Sequence, residues 1–70
     1  MKITKEYLEW SKTAQKAQID TGKTNKLLAE ELNYSRQFVT SVVNGKKPSR
    51  MGVARISKAL GIAKVQNLED

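Results

Sequence analysis

The 70-residue sequence contains no cysteine, no histidine and a single proline. Without cysteine there is no disulfide and no thiolate metal site, and without histidine the chain lacks the commonest metal ligand and the commonest general base. Zinc fingers and Ser-His triads are excluded together. Long apolar runs are missing as well: the longest are two or three residues, such as Leu27-Leu28-Ala29, and no apolar stretch follows Lys2 and Lys5. The sequence therefore shows neither a signal peptide nor a spanning helix, and it reads as cytoplasmic. Seventy residues make one domain with room for a single small core, but not for a core plus a buried catalytic cleft. No enzyme, metal, cofactor, membrane or small-molecule substrate is expected.

What the sequence does have is positive charge in one place. Residues 21–58 hold Lys23, Lys26, Arg36, Lys46, Lys47, Arg50, Arg55 and Lys58 against Glu30 and Glu31, which equals the +6 of the whole chain; the flanking stretches carry +1 and −1. Charge of this kind suits a solvated surface as well as a polyanionic partner, so it needs a second observation. Residues 33–45, "NYSRQFVTSVVNG", supply one. They set Ser35, Arg36, Gln37, Thr40 and Ser41 on one side of a short segment and Val39, Val42 and Val43 on the other.

Apolar spacing divides the chain into helices. Ile3, Tyr7, Trp10, Ala14 and Ala17 recur at intervals of four and three and predict a helix over about 4–20, with Tyr7 and Trp10 as core residues and Gly22 ending it. Thr24 is the expected N-cap of a second helix whose apolar face is Leu27, Leu28 and Leu32, closed by Asn33 in the left-handed region. Ser35 caps a third helix over about 35–44, with Val39 and Val42 inward and Gly45 as its left-handed stop. Pro48 breaks the chain, and Ser49 caps a fourth helix over about 50–60 that buries Val53, Ile56, Ala59 and Leu60. Arg55, Lys58 and the Glu30-Glu31 pair belong to solvated faces. Gly52 inside the fourth helix calls for either a close backbone contact or mere tolerance. Ile62, Val65 and Leu68 have helical spacing enough for one or two further turns. No strand, repeat or linker is predicted.

Two short helices joined by a three-residue turn, with small Ala29 in the first and branched Val39 in the second, form the packing unit of a helix-turn-helix. The stretch "NKLLAEELNYSRQFVTSVVNGKKPS", followed by "VARISKALGI", resembles the Cro and C1 repressor type, found in phage repressors and many small bacterial regulators. The likeness covers about residues 23–62. It differs in having Asn33 where the family usually holds Gly, Lys23 where Leu is usual, and a loop between Gly45 and Pro48 one residue shorter. The resemblance implies an all-α, lambda-repressor-like bundle of four or five helices. In this chain that is a single domain over 1–70, with the core motif at 24–45, supporting helices at 4–20 and 50–60, and a short C-terminal segment at 62–70. It also implies a homodimeric, sequence-specific double-stranded DNA-binding protein that represses or regulates transcription at an operator.

The side-chain chemistry fits that implication. A helix entering the major groove N-terminus first exposes the residues near its start; Arg36 can donate twice to guanine O6 and N7, and Gln37 can pair with adenine N6 and N7. Thr40 and Ser41 lie four residues further on, giving Arg36, Gln37, Thr40 and Ser41 as base readers. Asn25, Ser35, Asn44, Lys46, Lys47 and Arg50 are the expected phosphate ligands. Ile62, Val65 and Leu68 are left over for a dimer interface or to seal the core.

Two rival readings stay open: a protein-interaction module such as an antirepressor, whose basic face meets an acidic partner, and RNA binding, disfavoured by the shortage of exposed aromatic residues for stacking on bases. A nucleotide-binding P-loop at "DTGKT", residues 20–24, fails because Ala17 stands where the motif needs Gly and a helix precedes it instead of a strand.

Overall fold

The structure, a computed structural model, describes residues 3–62, and all of its regular elements are α-helices: α1 (Lys5–Thr21), α2 (Asn25–Leu32), α3 (Arg36–Val43) and α4 (Arg50–Leu60). No strand occurs among the described residues. Val65 and Leu68, and with them the expected C-terminal turns, lie outside those residues.

Each helix begins where a hydroxyl can replace a missing backbone partner. Thr4, Thr24, Ser35 and Ser49 are extended N-caps whose side chains accept the N–H of Tyr7, Leu27, Phe38 and Gly52, at 3.1 to 3.2 Å. Such a cap typically contributes about 1 kcal/mol. Three of the helices end by one device: a residue at positive φ turns the chain so that the next N–H reaches back to the helix. Asn33 (φ 60°) lets Tyr34 donate to the Ala29 carbonyl, Gly45 (φ 79°) lets Lys46 donate to Ser41, and Gly61 (φ 75°) lets Ile62 donate to Ser57.

The four helices surround one core. Tyr7, Trp10 and Ala14 enter it from α1, Leu28 and Ala29 from α2, Val39, Val42 and Val43 from α3, and Val53, Ile56 and Leu60 from α4. α2 and α3 share the most extensive contact of any helix pair among the described residues, and Ala29, 5% exposed, is one of the two residues that α2 buries in the core. A larger side chain there would have to displace its core neighbours.

Two apolar residues expected inside are not. Ile3 (54% exposed) precedes the Thr4 cap, so it lies before α1 and does not share the helix's inward stripe. Leu27 (47% exposed) is turned out because α2, only eight residues long, directs Leu28 and Ala29 inward and leaves the adjacent sector to solvent. Ala17 and Ala59 are only partly buried at the edge of the core. Gly52 is settled as a close approach: a Cβ there would stand 3.2 Å from the Phe38 ring, so the glycine lets α4 cross against that side chain. Lys23 donates from Nζ to the Ala59 carbonyl (2.8 Å) and pairs with Glu31 (3.1 Å), tying the C-terminal end of α4 to the α1–α2 turn.

Candidate nucleic-acid interface

The inner side of α3 is fixed by α1 as well as by packing. A helix leaves its last four carbonyls without an internal partner, and in α3 each has found one. Thr40 O accepts from Asn44 N, and Ser41 O from the N–H groups of Lys46 and Lys47 (3.0 and 3.2 Å). Val42 O accepts from Gly45 N and from the Tyr7 hydroxyl at 2.6 Å. Val43 O accepts from the Ser11 hydroxyl and from Gln15 Nε2. Thus three side chains from successive turns of α1 (Tyr7, Ser11 and Gln15) grip the C-terminal end of α3. Burial pushes the Tyr7 phenol above its ordinary pKa, an effect partly offset by the backbone N–H of Lys47, and so keeps the proton that this bond needs. From the same inward face, α1 is pinned to α4 by Trp10 Nε1 donating to the Ser57 hydroxyl at 2.7 Å.

Gly45 is required at this junction for two reasons. Its backbone is left-handed, and a Cβ would come within 3.1 Å of Leu8 Cδ2 and 3.4 Å of Ser11 Oγ. With α1 this close to the end of α3, a side chain there would have to displace Leu8 and crowd Ser11.

The outer side of α3 is different in kind. Arg36 and Gln37 are exposed, Thr40 and Ser41 half-buried. Gln37 and Ser41 lie opposite the buried valines, whereas Arg36 and Thr40 occupy the flank toward α2. There a relay crosses between helices: Gln18 Nε2 donates to Asn25 Oδ1 (2.6 Å), and Asn25 Nδ2 donates to Thr40 Oγ1 (3.2 Å). Thr40 and Asn25, expected to have separate roles, therefore hold each other, and the Asn25 amide is oriented from both ends. The Ser35 hydroxyl is engaged in its own cap, though it retains a proton to donate.

The remaining expected phosphate ligands lie at helix ends and on the loop between α3 and α4. Asn25 opens α2, Asn44 closes α3, Lys46 and Lys47 follow on the loop, and Arg50 opens α4; all but half-buried Asn25 are exposed. Asn44 stands next to the carbonyls gripped by α1. Phe38, to which sequence periodicity gave no role, forms the flank of α3 opposite Arg36. Its ring packs on Tyr34 (centroids 4.8 Å apart), and the Lys47 ammonium lies over it at 5.4 Å. Gln18 and Gln15 also escaped notice, since polar residues at an edge of α1 carry no periodic signal. Among the described residues no group of acidic side chains could hold a metal ion, and no helix is long and apolar enough to cross a membrane.

Comparison of the chain with protein-family models, with curated proteins and with solved structures found no match.

Proposed function

We propose that the protein is a sequence-specific double-stranded DNA-binding domain in which α2 and α3 form a helix-turn-helix of the Cro and C1 repressor type, acting as a transcriptional repressor or regulator. One observation carries the reading: α3 is a short helix held rigidly from behind, with a polar outer face and cationic or amide groups at both ends of that face. This is what insertion into a groove demands. The buried side fixes the helix, the exposed side meets base edges, and the groups at helix ends and on the loop meet the phosphates that set its register.

In this reading Arg36, Gln37 and Ser41 read bases, and Thr40 acts chiefly by holding Asn25. Asn25, Asn44, Lys46 and Arg50 engage phosphates. The principal extents are 27 × 22 × 15 Å, so two copies fit side by side on half-sites about 34 Å apart, the spacing of one turn of B-DNA. A homodimer on a symmetric operator is the corresponding assembly.

Selection of bound sequences from random duplex DNA tests the reading. The expected result is an enriched motif, symmetric about its centre, with affinity falling by a log-log salt slope of roughly −4 to −8 for a dimer neutralising five to nine phosphates. A flat salt response with no enriched motif would move the basic face to a protein partner. Enrichment only from single-stranded RNA would make it an RNA-binding surface.

A further inference from the structure

We infer that Lys47 reads a base, and that it differs in this from its neighbour Lys46; the inference rests on the DNA-binding reading above and assigns that face a further specificity-determining residue. Adjacent lysines on a loop after an inserted helix would ordinarily be taken as two equivalent phosphate ligands. Their surroundings are not equivalent.

The left-handed Gly45 folds the chain back so that the N–H groups of both lysines donate to the Ser41 carbonyl. Both backbones are thereby held at the C-terminal end of α3, next to Ser41, and the two lysines part company only at their side chains. The Lys47 side chain returns along α3 rather than leaving it, and the ammonium stands over the Phe38 ring, 5.4 Å from the centroid. The result is a polar cleft lined by Ser35, Gln37, Phe38, Ser41 and Lys47. Two of those residues, Gln37 and Ser41, are the ones that lie squarely opposite the buried valines. Lys46, also exposed, has no comparable seat.

The seat is itself built. Phe38 packs against Tyr34 with the two rings tilted by 59°, and glycine at residue 52 spares the ring a Cβ that would fall 3.2 Å away. Attraction between an ammonium and a ring face favours a defined position for a side chain that is otherwise among the most mobile. The position matters because phosphates line the walls of the groove, while its floor carries base edges. A cation held over the Phe38 flank, in a cleft it shares with Gln37 and Ser41 of the outer face, stands nearer that floor than one left on the loop. With three donors and no acceptor, it suits the adjacent O6 and N7 acceptors of guanine and is mismatched to the donor groups of adenine and cytosine.

The experiment compares selected motifs and affinities for the parent chain, Lys47→Met, Lys46→Met and Lys47→Arg. The Met variants keep the aliphatic stem and remove the charge, and thermal unfolding of each establishes that it is folded. The expected result is that Lys47→Met loses the preference for guanine at one position per half-site, by roughly ten- to a hundredfold in discrimination, while the other positions keep theirs. Lys47→Arg should retain guanine there. Lys46→Met should leave the whole motif intact, weaken operator and scrambled duplex alike, and reduce the salt slope by about 1. Lys47→Met behaving as Lys46→Met would overturn the inference and leave the DNA-binding reading standing. Absence of any motif or salt-dependent duplex binding in the parent chain would remove both.

Discussion

The two sides of α3 follow opposite rules. On the inner side every polar group has a partner: Val42 and Val43 bury their side chains, and their carbonyls are taken by Tyr7, Ser11 and Gln15. Across the helix Gln37, and on its flank Arg36, reach into solvent. A buried polar group without a partner costs about 1 to 3 kcal/mol, whereas an exposed one bonds to water at almost no cost. The inner side must therefore be complete within the protein, and the outer side is free to be completed by something else. The contrast separates a face selected for rigidity from one available for recognition, and substitutions on the two should register in different measurements.

The largest effect is expected where α1 grips α3. Tyr7 is fully buried and holds the Val42 carbonyl, so Tyr7→Ala removes both a ring from the core and a partner from a buried acceptor. A loss of about 3 to 5 kcal/mol is expected. Trp10, the single tryptophan and 6% exposed, reports it as an earlier fluorescence transition in urea. A cost below about 1 kcal/mol would mean that the inner side is less complete than its geometry.

Next comes the packing of α2. Ala29→Leu inserts three carbons at a position that α2 buries in the core and should cost roughly 1 to 3 kcal/mol by overpacking. Parent-like thermal unfolding would count against the close packing of α2 on which the helix-turn-helix proposal depends.

The outer side should behave in the reverse manner. Arg36→Ala is expected to change stability by no more than about 0.5 kcal/mol. Yet it should weaken binding to the selected operator by roughly 1 to 3 kcal/mol, with little effect on scrambled duplex. Asn44→Ala should weaken both duplexes by similar factors. Equal losses for Arg36→Ala on the two duplexes at one fixed salt would make Arg36 a phosphate ligand and leave Gln37 and Ser41 as readers beside Lys47.

A smaller effect sharpens the contrast through pH. The buried Tyr7 phenol has its pKa raised in the folded state, so its contribution to stability is complete below the ordinary phenol value of about 10 and is lost as pH rises through the raised value. The stability gap between the parent and Tyr7→Phe should accordingly be constant from neutral pH to about 9 and narrow above about 10. Urea titrations across that range would show a constant gap if the phenol were not the titrating group. The smallest expected change is Asn33→Gly, neutral or stabilising by up to about 1 kcal/mol, because glycine enters the left-handed region without the Cβ penalty that Asn33 bears. A marked loss would show that the Asn33 side chain itself has a partner in the turn.

Local chemistry in the sequence determined most of the helix limits. The hydroxyl caps at Thr24, Ser35 and Ser49 and the turns at Asn33, Gly45 and Gly61 are decisions made within a few residues, so they can be read without knowing what lies across the core, whereas Thr4, expected as the first residue of α1, is its cap. The inward stripe of α1 from Tyr7 to Ala14 and the valines of α3 follow from periodicity for the same reason. Periodicity failed at Ile3 and Leu27, where a single residue lay just before a helix or at the edge of a short one. Contacts between residues distant in sequence were decided only by the tertiary structure. No spacing reveals that Tyr7, Ser11 and Gln15 would take the carbonyls of Val42 and Val43, that Gln18 would orient Asn25 against Thr40, or that Gly52 leaves room for Phe38 under Lys47. Each partner is an ordinary polar, aromatic or small residue until the helices pack. Only then does burial compel the carbonyls to find donors, and only then is one lysine of an adjacent pair drawn over a ring while the other is left in water.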